Sequence, residues 1–435
     1  MSITVALYSH DSVGLGHARR NRAVAYALAA DLPRLTGQTV GGLLIAGHPD
    51  AAGDSLPEGW DWLVLPGYAR TSSGYASRRM HMDVDQLTEM RSSAVAAALE
   101  AISPDLFIAD RHPFGVGGEL TEALRLLRED HRCATVLGMR DVLDTPSVAA
   151  AEWEAVGGAE AVATHYDALW IYGDQNVYDP LATGEIPSAL ASRSRSTGYL
   201  SHGRPSDPGS PGHRPYVLTM VGGGSDGGRL ARAAAEAEIP AGHRHLIVTG
   251  PQMPQEDVAV VRAAAGLPQE SEDSPLHGEI GEAGEDVVVL RSAANVPALV
   301  AEASAVVCMG GYNSVAEVMA TSTPALVVPR NARRAEQPRR AEALAAVGAV
   351  DTLPAEEISP THLSTWFAGA VDRRVERSDV DLDGLTRLGR LAAELIAPRP
   401  AMSSGHFTAA VSAEKAALAE ISTTRTAPLE ACYVR

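Results

Sequence analysis

Two glycine turns and one histidine are the places in this chain where residue type and spacing could do chemistry. The apolar run Ala305-Val306-Val307-Cys308 predicts a buried strand, and Met309-Gly310-Gly311-Tyr312-Asn313 predicts a sharp turn at its end. Ser314 is placed to cap a following helix, with Glu317 about one turn inside it. Glycines let a backbone approach a phosphate, and the open N–H groups of a helix start supply positive potential. A carboxylate at the position of Glu317 suits the diol of a ribose. The segment therefore reads as half of a nucleotide-sugar site. Gly222-Gly223-Gly224-Ser225, after the apolar run Tyr216–Met220, reads as a second phosphate cradle. It is not a Walker A loop, because no GK[ST] follows.

The histidine is His17, directly after Gly14-Leu15-Gly16. An imidazole is suited to take a proton from an acceptor hydroxyl at neutral pH. Asp110 and Asp141 each follow a predicted strand of the same half, so either is a candidate to orient it. The long polar segment 67–85 carries Arg70, Arg78, Arg79 and His81, which could face an anionic acceptor or simply lie in solvent.

These residues need two α/β units to position them. Strand, glycine turn and helix open the first unit at Thr4–Ala30, and the same order recurs from Tyr216. The fold class read from this is α/β, with two Rossmann-like domains. The expected limits are residues 1–203, a Pro/Gly/Ser-rich linker over 204–214, and a second domain over 215–400. A further helix over 405–421 is expected to pack back on the first domain. The 435 residues suffice for two full cores, and 45% hydrophobic with 21% charged residues excludes a disordered chain. A formal net charge of −18 argues against general affinity for nucleic acid or anionic membrane, so a phosphate must be held locally. The three cysteines form no CxxC pattern, and no segment reads as a signal peptide or membrane span. A cytoplasmic setting follows as the expectation.

In their order, GLGH near the start, GGGS after the linker, then GGYNSVAE and EQPRRAEAL resemble the GT-B glycosyltransferases, closest to glycosyltransferase family 28 and its MurG-like branch. The resemblance runs from about Val5 to Leu344 and is stronger in the second half. It implies two facing domains, with the acceptor on the first and a nucleoside-diphosphate sugar on the second, uridine being the leading base and thymine and guanine remaining open. It also implies that no metal ion or other cofactor is needed. By the same resemblance Gly223, Gly224 and Ser225 hold the diphosphate together with Gly310, Gly311, Asn313 and Ser314. Glu317 takes the ribose, Glu336 and Gln337 the donor sugar, and Arg291 marks the base edge. Arg340 falls with them on the donor-sugar side, where the MurG pattern often has Asn, His17 is the general base, and Gly16, Arg78 and Arg79 fall on the acceptor side. Where many relatives carry a basic residue this chain has Met309, leaving Arg330, Arg333, Arg334 or Arg340 to supply charge. The implied reaction is inverting transfer of a hexosyl-type sugar to a hydroxyl or amine. A nucleotide-sugar 2-epimerase and a non-catalytic nucleotide-sugar binder are the alternatives.

Overall fold

The computed structural model describes residues 2–10, 14–71, 74–130, 132–206, 214–223, 225–269, 286–293, 295–330 and 334–397. Gly224, Arg333 and the helix expected over 405–421 lie outside these residues.

Each half builds one parallel sheet. In the first, the strands lie in the order Trp60–Val64, Thr39–Ala46, Ser2–Tyr8, Leu106–Asp110, Ala134–Arg140, Ala168–Tyr172 and Ser194–Ser196. In the second, the order is Val287–Leu290, Arg244–Val248, Tyr216–Met220, Ala305–Cys308, Ala325–Val327 and Asp351–Thr352. Strands covered by helices on both faces must be apolar throughout, which is why Leu106–Ala109, Tyr216–Met220 and Ala305–Cys308 are continuous buried runs. In both sheets the strand order reverses beside the first strand of the half. Ser2–Tyr8 pairs with Thr39–Ala46 on one side and Leu106–Asp110 on the other, and Tyr216–Met220 pairs with Arg244–Val248 and Ala305–Cys308. A reversal opens a crevice beyond the carboxyl ends of the two strands that flank it, the usual ligand position in such sheets.

Two elements depart from the sequence reading. Part of segment 67–85 forms an antiparallel hairpin, Tyr68–Thr71 with Gly74–Ser77, rather than a loop. Buried Arg91 anchors its base, donating to Pro66 O at 2.7 Å and lying 4.6 Å over the Tyr68 ring. The helix that returns to the first half is Gly384–Ile396, inside the stretch assigned to the second domain. Tyr199 N donates to Asp381 O and Gly384 N to Tyr199 O, at 2.8 and 3.0 Å. Leu385 and Leu388 of this helix join Val24 and Leu28 of the first helix, Gly16–Thr36, in one buried cluster. Gly389 is required there because a Cβ would sit 2.5 Å from Asp31 Cβ.

Gly389→Ala should therefore lower stability by about 1–3 kcal/mol, the cost of overpacking a filled contact. Urea denaturation checks this, and an unchanged midpoint would show that the two helices do not pack this closely.

Candidate functional site

The two crevices face each other across a cleft of about 550 Å³ with walls from both halves. On the second half's side, the loops after Tyr216–Met220 and Ala305–Cys308 adjoin because their strands pair. Gly222 and Gly310 take left-handed backbone angles, φ +64° and +75°, which turn each chain sharply at its strand end. Gly223, Ser225, Gly311, Asn313 and Ser314 all line the cleft. Gly311 occupies the N-cap position of the helix Tyr312–Met319, so Ser314 lies in the first turn rather than capping it. Gln252, which the sequence reading passed over, completes this wall by donating from its N–H to Gly223 O at 2.9 Å.

The first half's wall carries His17, held by residues at the other strand reversal. His17 Nδ1 lies 3.0 Å from Asp110 Oδ2, and Arg20 Nη2 donates to the same oxygen at 2.6 Å. Asp110 is fully buried. Burial would raise its carboxyl, yet Arg20 and then His17 hold it at about 2. Arg20 Nη2 also lies 3.2 Å from His17 Nδ1; in the tautomer that donates Nδ1–H to Asp110, whose ionised carboxylate only accepts, Nε2 is the basic nitrogen. Arg20 gave no signal in the sequence, since a helical arginine three residues after a histidine is usually solvated. His10 and His112 stand behind His17, with successive ring centroids 4.4 and 4.5 Å apart. Burial keeps both well below the ordinary imidazole range, so they are neutral.

Asp141, the other candidate partner for His17, is engaged elsewhere. Arg340 Nη2 donates to Asp141 Oδ1 at 2.6 Å, and Arg340 Nε lies 3.0 and 2.9 Å from its two oxygens. Both residues are fully buried. Asp141 is thus a domain-joining residue and not the histidine's orienter. The same geometry corrects the sugar-side reading of Arg340, whose Nη1 donates to Gly310 O and Glu336 Oε1 at 3.0 and 2.9 Å and which does not reach the cleft. Glu336 also accepts from Arg140 of the first half at 2.7 Å. Burial would raise Glu336, but Arg140 and Arg340 hold it at about 2. Arg334 adds a further crossing, donating to Glu152 at 2.8 Å.

The remaining candidates divide. Gln337 lines the cleft and accepts from Arg330 N at 3.2 Å. Gly16 lines it too, and its carbonyl accepts from Asn313 Nδ2 at 2.7 Å across the domains. Arg78 and Arg79 follow the hairpin into the cleft, Arg78 donating to Gly47 O at 2.8 Å. Glu317 stands behind the wall, buried, 3.5 Å from Arg204 at the end of the first half. Burial raises its carboxyl, with Arg204 opposing. Arg291 points away and donates to Met253 O at 3.1 Å. Among the described residues no group of three histidine, cysteine or acidic side chains is placed to hold a metal ion.

This architecture, two Rossmann-like domains with their strand reversals facing across a cleft, is the GT-B fold. Residues 218–368 match the model of the glycosyltransferase family 28 C-terminal domain, which supports a glycosyltransferase. Similar solved structures include the spinosyn forosaminyltransferase SpnP, 15% identical with a TM-score of 0.52 over 91% of this chain and 95% of that one. Another is the glycosyltransferase VinC in complex with DTDP, 15% identical with a TM-score of 0.50 over 97% and 100% of the two chains. A third is a putative UDP-N-acetylglucosamine 2-epimerase from Listeria monocytogenes, 11% identical with a TM-score of 0.54 over 90% and 91%. At these identities the likeness is one of fold.

The held-down carboxyls set a direction for acid stability. Asp110 and Glu336 titrate at about 2 when folded, below the ordinary carboxylate range of the unfolded chain. Their stabilisation is complete above roughly pH 5 and is lost as pH falls towards 2. Unfolding free energies measured from pH 7 to 3 should be flat in these groups down to about pH 5 and then decline. Asp141→Asn should cost about 3 kcal/mol at pH 7, because it leaves buried Arg340 with Glu336 alone, a carboxylate it shares with Arg140. Chemical denaturation of that variant reads the loss, and a change under 1 kcal/mol would mean that water reaches the pair.

Proposed function

We propose that the protein is an inverting glycosyltransferase that moves a sugar from a nucleoside diphosphate, uridine diphosphate being the leading donor, to a hydroxyl or amine. The observation that carries this reading is the pairing across one cleft of two adjoining glycine turns with a histidine held by a buried, ionised carboxylate. The acceptor gives its proton to His17 Nε2 while its oxygen or nitrogen bonds to the anomeric carbon. The bond from that carbon to the diphosphate breaks, and the nucleoside diphosphate leaves with the electron pair. Attack opposite the leaving group inverts the anomeric centre. Asp110 fixes the tautomer of His17 and favours the imidazolium that forms, and Arg20 keeps Asp110 ionised.

The departing charge falls on the N–H groups of Gly223, Ser225, Gly311 and Ser314 and on the positive end of the helix Tyr312–Met319. Arg330 lines the same wall and is the proposed replacement for the basic residue absent at Met309. No metal ion has a part in this scheme. Glu317 is the proposed ribose partner, reached when Arg204 turns away as the donor seats. Gln337 is the direct sugar contact, while Glu336 acts through Arg140 and Arg340. The proposed setting is the cytoplasm, where Cys133 and Cys308 stay as buried thiols.

Thermal stabilisation by a panel of nucleoside diphosphates and their sugars is the test. One base should raise the melting temperature, and Glu317→Ala should abolish that shift. No response to any nucleotide would remove the donor site and the transferase reading. With the responding donor, His17→Ala and Asp110→Asn should each lower kcat by about 10²–10⁴ while leaving the nucleotide shift intact. An epimerised sugar formed from donor alone would identify the reaction as epimerisation.

A further inference from the structure

Arg140 ends the strand Ala134–Arg140 and lines the cleft on the first half's wall, opposite the glycine turns. Its hydrogen bonding is incomplete. Nη1 donates to Glu336 at 2.7 Å, but that carboxylate also serves Arg340, and Arg340 has Asp141 as well. Arg140 Nε is buried with no hydrogen-bond partner among the described residues. A guanidinium offers five N–H donors in a planar fork shaped for carboxylate or phosphate, so a cleft-lining arginine with unmet hydrogen-bonding capacity is suited to an anion.

The surrounding charge has the same sign. Among the described residues six arginines line the cleft against three carboxylates, in a chain whose formal net charge is −18. Arg330 belongs to the diphosphate wall, whereas Arg19 and Arg79 are exposed on the wall that carries Arg140. Burial, with Arg111, Arg20 and Arg340 nearby, lowers Arg140 to about 10 against the opposing effect of Glu336. A bound anion would relieve that strain.

We propose that Arg140 receives a second anionic group, a carboxylate or phosphate distinct from the donor diphosphate, carried by the transferred sugar or by the acceptor. Arg140 joins Glu336, beside the proposed sugar contact Gln337, to the wall that holds His17, so the residue stands where sugar and acceptor meet in the proposed reaction. The assignment rests on the transferase reading for the names of its two sources, and on the cleft alone for the anion.

Thermal shift on the full chain tests it with matched probes. The sugar arm compares uridine diphosphate glucuronic acid with uridine diphosphate glucose. The acceptor arm compares glycerol 3-phosphate with glycerol, without nucleotide. In one arm the anionic probe should bind more tightly than its neutral partner. Arg140→Gln should weaken that probe by about tenfold or more beyond any weakening of its neutral partner, so that the anionic preference is lost. Arg140→Lys keeps the charge and loses the fork, so it should fall between, and it carries the test if Arg140→Gln does not fold. The responding arm identifies the source. No anionic preference in either arm of the wild type, or a preference that survives both substitutions, overturns the proposal. A preference in the acceptor arm with no nucleotide binding at all would overturn the donor reading and leave the Arg140 site standing.

Discussion

Arg340 belongs to the second domain but holds its hydrogen bonds on both sides of the cleft. Its planar guanidinium meets Asp141 of the first domain along one edge, and it meets Gly310 O and Glu336 of its own domain with the remaining nitrogen. One fully buried group thus ties the left-handed turn of Gly310 to the strand end that also bears Arg140. A buried ion pair yields little net stability, because desolvating two charges costs about what their attraction returns. What it supplies here is registry. The glycine turn, the start of the helix Glu336–Ala346 and the loop after Ala134–Arg140 are held in one arrangement, and the distance between the two walls follows from it.

The sequence reading recovers what local pattern dictates. Parallel strands covered on both faces are continuous apolar runs, so Tyr216–Met220, Ala305–Cys308 and Leu106–Asp110 announce themselves. Glycines at strand ends signal turns, and both turns fall at a reversal of strand order. What local pattern cannot decide is which charged groups meet. Asp110 and Asp141 both lie at or just beyond the ends of neighbouring strands of one sheet. Only the first strand beside the reversal brings its carboxylate to His17, while Asp141, one strand further out, meets an arginine 199 residues away. Arg340 was open to a sugar role for the same reason, since a polar residue in a donor motif has no local mark that says buried.

Other features were hidden by shortness or by distance. The hairpin Tyr68–Ser77 has strands of four residues, too short for alternation to stand out, and it is held in place by Arg91 from a later helix. The helix Gly384–Ile396 shows a strong apolar face, but nothing in that face names the domain it covers. Its partner is chosen by shape, through the missing side chain of Gly389 against Asp31.

The return of that helix changes what the second domain is mechanically. The chain leaves the first domain after Tyr199–Leu200 and re-enters at Asp381–Asp383, and the two crossings are hydrogen-bonded side by side, with Leu200 bridging Asp383. The second domain is therefore hung on two adjacent pins rather than a single tether. Two adjacent crossings resist twist and slide between the halves better than a single tether, so the backbone route itself helps to keep the glycine turns facing the histidine wall.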